Sequence, residues 1–368
     1  MADTSATTNL AEHTVVLSEE QNNNCESGQY SCSLPPQKSQ ERYKFIRSIG
    51  FGGMKSVLLV HDADTNREVA MALMPDFKQR PAEDLQRFVR EAKLTASLEH
   101  PYIVPVHDIG TDKSGSPYFT MKYLRGLPLS TLIKRLHQKD PQTVEEYSMS
   151  RLLRLFVRIC QAIEFAHDHG YCHLDLKPGN INVGEYGDSY ILDWGLARAI
   201  DSSGNVISEP YAIKSAGTPG YMAPEQITPE AGTLGVKSDI YALGALLYTL
   251  VTYRSPAGDL PQDQVFQQTL TGTFPRPGDV SCNDELIPES LEAVILNAMA
   301  PNPNDRYASV KALRTDILAY TSGFATSAEH ASVGKRILLF ANRNAMWLLV
   351  GLLGIALAAA LILLWMNM

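Results

Sequence analysis

The sequence predicts an α+β chain with two unequal lobes, a small strand-rich one carrying a single helix and a larger helical one, followed by one membrane-spanning helix. Three observations predict this architecture. Short alternating segments separated by glycine and Asp/Asn turns occupy the first third of the ordered sequence, apolar residues recur at helical spacing from about residue 151 onward, and residues 346–366 carry no charge at all. At 368 residues the chain is long enough for two ordinary domains or one large two-lobed domain.

Taken in order, residues 43–49 alternate well enough for a strand, the glycine cluster at 50–53 gives a sharp turn, and 56–60 form a second strand. Asp62, Asp64 and Asn66 supply turn chemistry before a third strand at 68–73. Pro81 suits a helix start, and Leu85, Phe88, Val89 and Ala92 then fall on one helix face with Glu91 beside them. Strand-like segments follow around Val104 and at 118–123. Beyond Gly126 the pattern turns helical, with helices at 151–167 and from Asp239, Leu291 and Val310. The apolar run 240–251 is too short to span a bilayer and suits a buried helix.

Hydrophobic residues make up 45% and charged residues 20%, so most of the chain folds around a core. A formal net charge of -8 with no long Lys/Arg run gives no support for a nucleic-acid partner. The five cysteines, Cys25, Cys32, Cys160, Cys172 and Cys282, include no Cys-x-x-Cys pair and read as reduced thiols. Residues 1–42 are polar and poor in apolar side chains, the composition of a disordered tail, with no signal-peptide pattern at the start.

Residues 346–366 would span roughly 30 Å as a helix, the thickness of a hydrocarbon core. Trp347 and Trp365 stand at its two ends, and Lys335, Arg336 and Arg343 flank it on the N-terminal side, which places the preceding domain in the cytoplasm. Only Asn367 and Met368 follow, as expected of a tail anchor or of a chain cut before an outer domain. Gly354 and Ala358, four apart, are compatible with two such helices packing as a homodimer. The segment 322–345 reads as a juxtamembrane linker.

The chemistry is concentrated in "HLDLKPGNINV" (173–183) and "ILDWGLA" (191–197). Together they offer a carboxylate, Asp175, a lysine two residues on, Lys177, an amide, Asn180, and a second carboxylate beside glycine, Asp193. Phosphoryl transfer needs a group to orient the hydroxyl nucleophile, oxygens for Mg²⁺ and cations on the developing charge, and this set supplies all three.

These stretches resemble the eukaryotic-type protein kinase family, in particular membrane-anchored bacterial Ser/Thr kinases, and the resemblance runs from about Tyr43 to Tyr320. His173-Leu174-Asp175 is similar to the catalytic loop, Asp193-Trp194-Gly195 to the metal-binding Asp-Phe-Gly, and Ala223-Pro224-Glu225 to the end of the activation segment. The resemblance implies a bilobal kinase fold over 43–321, with an N-lobe at about 43–122 and a C-lobe at about 126–321. It also implies ATP and Mg²⁺ as cofactors and protein Ser/Thr hydroxyls as acceptors. Asp175 would be the catalytic base and Lys177 the phosphate-side lysine. Asn180 and Asp193 would be the metal ligands, and Glu91 the helix partner of the ATP lysine. Ile49, Gly50, Gly52, Gly53, Val57, Ala70, Met121 and Tyr123 would line the nucleotide, 121–124 forming the hinge. Asp239 would brace the catalytic loop and Arg306 would pair with Glu225.

Three residues depart from the family pattern. Leu174 replaces the arginine that grips a phosphorylated activation loop, which implies activity independent of loop phosphorylation, although Ser202, Ser203, Ser208 and Ser215 are candidate sites. Trp194 replaces phenylalanine. The third strand reads Val69-Ala70-Met71-Ala72, with alanine where the ATP lysine belongs, while Lys55 stands at the third-glycine position of the flap "GFGGMK".

That placement resembles the with-no-lysine kinases. If Val57 faces Ala70 across the hairpin, Lys55 faces Ala72, within reach of a lysine stem on a shared sheet face. A buried Glu91 without a cation would be costly, so a lysine arriving from the neighbouring strand is the favoured reading. The alternatives are a membrane-anchored pseudokinase that binds nucleotide as a signalling scaffold, with Lys55 solvated, and a kinase fold that no longer binds nucleotide.

Overall fold

The computed structural model describes residues 42–51, 55–185, 187–207, 217–280 and 286–366. Residues 1–41 of the expected polar tail lie outside the described residues. So do Gly52, Gly53, Ser208, Ser215, Cys25, Cys32 and Cys282.

Strands β1 (Tyr43–Phe51), β2 (Ser56–Asp62) and β3 (Arg67–Leu73) are followed by helix α1 (Ala82–Ser97), then β4 (Val106–Thr111) and β5 (Pro117–Lys122). They form one antiparallel sheet in the order β1-β2-β3-β5-β4. Alternation splits its side chains between two faces. Val60, Val69, Met71 and Tyr118 pack on one face. On the other, Ala72, Met74 and Phe119 pack against Phe88 and Ala92 of α1, whose buried stripe also carries Glu91. The strand expected around Val104 starts two residues later, because Val104 is instead fully buried and its N–H is bonded at 3.1 Å to the Ile191 carbonyl.

The hairpin register differs from the sequence expectation. Val57 faces Ala72 and Leu59 faces Ala70, two residues away from the anticipated pairing of Val57 with Ala70. A two-residue offset preserves parity, so Val57, Ala70 and Ala72 still share the face that carries α1; a one-residue slip would have turned them outward.

The larger lobe begins with β6 (Gly126–Pro128), α2 (Leu129–His137), α3 (Pro141–Glu146) and α4 (Met149–Asp168). Then come β7 (Tyr171–Cys172), β8 (Ile181–Gly184), β9 (Ser189–Ile191) and β10 (Arg198–Ala199), which carry the loops of interest. β10 pairs with β7, and β8 lies between β6 and β9. After α5 (Pro224–Ile227) the chain continues through α6 (Val236–Thr252), α7 (Gln262–Thr271), α8 (Pro277–Val280), α9 (Glu289–Ala298) and α10 (Val310–Thr321).

Helix α6 is apolar on all sides because it is buried on all sides, against α4 on one flank and α9 on another. Its closest approach to α9 depends on Gly244. A Cβ there would come within 2.8 Å of Ala298 Cβ and 2.7 Å of Met299 Cγ. Two further helices, α11 (Val333–Arg343) and α12 (Ala345–Met366), end the described chain, and α12 is long and apolar enough to cross a membrane.

Candidate active site

Lys55 lies one residue before the first paired residue of β2, at the mouth of the cleft beneath the sheet. Its Nζ donates to Glu91 Oε1 on α1 and, at 3.3 Å, to Asp193 Oδ1. Burial alone would lower the Lys55 ammonium, but the Glu91 and Asp193 carboxylates outweigh it and raise it above its ordinary value. Burial pushes the Glu91 carboxyl up to about 7; the Lys55 charge opposes this and the Asp193 charge adds to it. Burial would also raise Asp193, yet Lys55 and the Gly195 N–H, which donates to Asp193 Oδ1 at 3.1 Å, bring it below the usual carboxylate range. The site is crowded at Gly195, where a Cβ would sit 3.2 Å from Asp193 Oδ1 and 3.3 Å from Glu91 Oε2 and would press on both carboxylates.

On the C-lobe side, Asp175 collects a second cluster. Lys177 Nζ donates to Asp175 Oδ2 at 2.8 Å and to Thr218 Oγ1 at 2.7 Å, and Thr218 Oγ1 donates to Asp175 Oδ1 at 3.0 Å. Asn180 Nδ2 donates to the Asp175 carbonyl at 2.9 Å and to Oδ2 at 3.1 Å, which leaves the amide oxygen of Asn180 for a cation.

The loop holding these groups is fixed from below by Asp239, fully buried at the start of α6. Asp239 accepts from the His173 N–H at 2.7 Å and the Leu174 N–H at 2.8 Å, and pairs with His167 Nε2 at 2.8 Å. Burial would raise its carboxyl; the contacts from His167 and His173 turn the balance and lower it. Leu174 takes a left-handed backbone, φ 63°, and Gln226 Nε2 donates to its carbonyl at 2.8 Å. A non-glycine residue holds that conformation only where its surroundings over-determine it. His167 and Gln226 escaped sequence reasoning because each reaches the loop from a distant element, with no local pattern to mark it. Trp194 is buried against the His173 ring, centroids 4.7 Å apart.

The described residues expected to line the nucleotide lie on or beside the sheet of the smaller lobe. Ala70 pairs with Met121 on β5 and is buried, Val57 pairs with Gly50, and Ile49 is half-buried. Tyr123, just past β5, accepts from Arg47 at 2.9 Å through its hydroxyl.

Arg306 and Glu225 form a bidentate pair at 2.8 and 2.9 Å with both side chains fully buried, and Ser238 Oγ donates to Glu225 Oε1 at 2.8 Å. The remaining guanidinium hydrogens go to the carbonyls of Ala300, Pro301 and Lys237. Removing the cation strands a buried carboxylate, so Arg306→Leu is expected to destabilise the fold by about 3–5 kcal/mol. Chemical denaturation of the detergent-solubilised chain measures this, and an unchanged midpoint would contradict it.

The order of these landmarks along the chain decides its family. The protein kinase domain model matches residues 43–318, three quarters of the sequence. The chain belongs to the protein kinase family. Over 300 residues it is 37% identical to PknD, a serine/threonine-protein kinase of Chlamydia pneumoniae, covering 77% of this chain and 31% of the relative. It is also 34% identical over 318 residues to PknB, a serine/threonine-protein kinase of Mycolicibacterium smegmatis, covering 84% of this chain and 47% of the relative. The chain therefore spans less than half the length of these relatives.

Proposed function

We propose that this chain transfers the γ-phosphoryl group of Mg-ATP to serine and threonine hydroxyls of proteins at the cytoplasmic face of a membrane. The single observation that carries the reading is the pairing of Lys55 with Glu91 and Asp193 across the cleft from the Asp175–Lys177–Asn180 cluster.

The donor set fits the cofactor. Mg²⁺ favours one or two protein oxygens plus substrate phosphates, and the Asn180 amide oxygen with the Asp193 carboxylate answers that description. Bound Mg-ATP would supply the phosphoryl group and the metal's charge. Lys55 would hold the phosphates, its ammonium kept charged by the two carboxylates. Adenine would lie between Ile49, Val57 and Ala70 above and the hinge residues Met121 and Tyr123, with Gly50, Gly52 and Gly53 covering the phosphates. Asp175 would orient the acceptor hydroxyl and take its proton, and Lys177, already bonded to Asp175, would meet the charge developing on the transferred group.

The Ser/Thr assignment rests on Lys177 two residues past Asp175 and on the names of the relatives. Lys335, Arg336 and Arg343, preceding α12, support the cytoplasmic side. Two copies of α12 would pack through Gly354 and Ala358, both exposed on that helix. A scaffold without turnover would need neither the Lys55 contact nor the Asp175 cluster.

Incubation of the purified chain with Mg-ATP and a protein acceptor, followed by phosphoamino-acid analysis, tests the reading. Phosphoserine and phosphothreonine are expected. Phosphotyrosine alone, or ATP binding without transfer, would overturn it.

Loop phosphorylation is not needed in this scheme, because Leu174 offers no cation to grip a phosphate. Ser202 and Ser203 occupy a tight turn in which Asp201 Oδ1 accepts from the backbone N–H of Ser203 and Asn205, both at 2.9 Å. The Ser202→Ala/Ser203→Ala variant is expected to transfer phosphate within about twofold of the wild type, since surface substitutions shift energies by about 0.5 kcal/mol or less. A steady-state rate lower by tenfold would contradict this.

A further inference from the structure

The segment 322–345, expected as a linker, contains α11, and its two sides are unlike. On one side it is fastened to the kinase domain. Lys335 Nζ meets Glu329 Oε2 at 2.8 Å, and Glu329 also accepts from the Thr326 N–H at 3.0 Å and from Ser290 Oγ on α9 at 2.5 Å. Burial would raise Glu329, but these three donors hold it below the usual carboxylate range. The turn behind it is fixed by buried Asp316 of α10, which accepts from the N–H and hydroxyl of Ser327 at 2.8 Å each and from the Ala328 N–H at 3.1 Å. At the other end of the helix, the Arg343 guanidinium lies 3.8 Å from the centre of the Phe324 ring.

The opposite side is apolar and bare. Val333, Ile337 and Phe340 recur at helical spacing with Leu338 beside them, and each is more than half exposed, at 75%, 62%, 53% and 59% respectively. Water is a poor neighbour for four such side chains in one patch. The covering partner is indicated by the chain itself. Only Asn344 separates α11 from α12, and its φ of -104° and ψ of 15° leave the helical region, so the axis can bend there. The C-terminal end of α11 is thereby held at the surface of whatever bilayer α12 crosses. Arg336, exposed on α11, carries positive charge on the flank where anionic headgroups would lie. An upright α11 would extend about 16 Å from that surface and leave Val333 and Ile337 in water. A recumbent one buries all four.

We propose that α11 lies in the membrane surface, its apolar face among headgroups and upper acyl chains and its other side bonded to the C-lobe, so that the kinase domain rides on the bilayer in a fixed orientation. The proposal rests on α12 being a membrane span.

The full chain, with Cys25, Cys32 and Cys282 replaced by serine and the buried Cys160 and Cys172 kept, tests this in vesicles of phosphatidylcholine and phosphatidylglycerol. Single variants Val333→Cys, Ile337→Cys, Phe340→Cys, Arg336→Cys and Ile355→Cys carry an environment-sensitive fluorophore. Labels at 333, 337 and 340 are expected to be quenched at least twofold more by a nitroxide at acyl carbon 5 than by one at carbon 12, and the label at 336 by aqueous iodide. Quenching of 333 and 337 by iodide would overturn the proposal in favour of an upright helix. Shielding from both quenchers would overturn it in favour of a protein partner or a second copy. The label at 355 separates the two readings: if the carbon-12 nitroxide does not quench it, the membrane span itself fails.

Discussion

Asp175→Asn is expected to lower phosphoryl transfer by about 10²–10⁴-fold, the range over which a positioned general base contributes, while ATP affinity stays within a few-fold of the wild type. The substitution is nearly isosteric. Asparagine retains one oxygen to accept from Lys177 or Thr218, and the Asn180 bond to the residue 175 carbonyl is untouched. The loop conformation, held by Asp239 through the His173 and Leu174 N–H groups, does not depend on the Asp175 side chain. What is lost is the carboxylate charge that would receive the hydroxyl proton in the proposed reaction. Steady-state kcat together with ATP binding by calorimetry separates these effects, and an undiminished kcat would contradict the role given to Asp175.

Lys55→Met is expected to reduce transfer by about 10²–10³-fold, the cost of removing one electrostatic stabiliser from a preorganised site. It should do so without unfolding the domain. Glu91 already sits at about 7 through burial; without the lysine, burial and Asp193 both push it further up, and the carboxyl takes a proton instead of remaining an unpaired buried charge. The sign of the resulting pH dependence follows. A carboxyl whose folded value is raised above its unfolded value contributes stability at low pH that is lost as pH rises from about 4.5 through the folded value. The melting temperature of Lys55→Met, compared with the wild type, should therefore fall more steeply from pH 5 to pH 8. Parallel profiles would show that Lys55 does not face Glu91 in solution.

The two-lobed order of elements and the gathering of Asp175, Lys177 and Asn180 into one cluster were legible because they rest on local signals. Such signals include strand alternation before residue 73, the apolar periodicity of α4, and the compact stretches around Asp175 and Asp193. Long-range registration was not legible. Val57 was expected opposite Ala70 and faces Ala72, since nothing in either strand counts residues through the turn; only the parity, which alternation does encode, survived. The bracing of Leu174 by Gln226 and of Asp239 by His167 joins elements 52 and 72 residues apart, beyond any periodic pattern. The stretch expected as a juxtamembrane linker contains helix α11, and the ion pair of Lys335 with Glu329 that ties it back has no periodic signature in the sequence.

The relocated lysine is tested most directly by comparing three chains in one Mg-ATP-dependent phosphorylation assay: wild type, Lys55→Met, and Lys55→Gly/Ala72→Lys. Residue 72 is fully buried on the face that carries α1, opposite Val57, so a lysine stem from β3 enters the same cleft toward Glu91. Loss of transfer in the single variant and its recovery in the double one is the expected result. Transfer by Lys55→Met at the wild-type rate would contradict it.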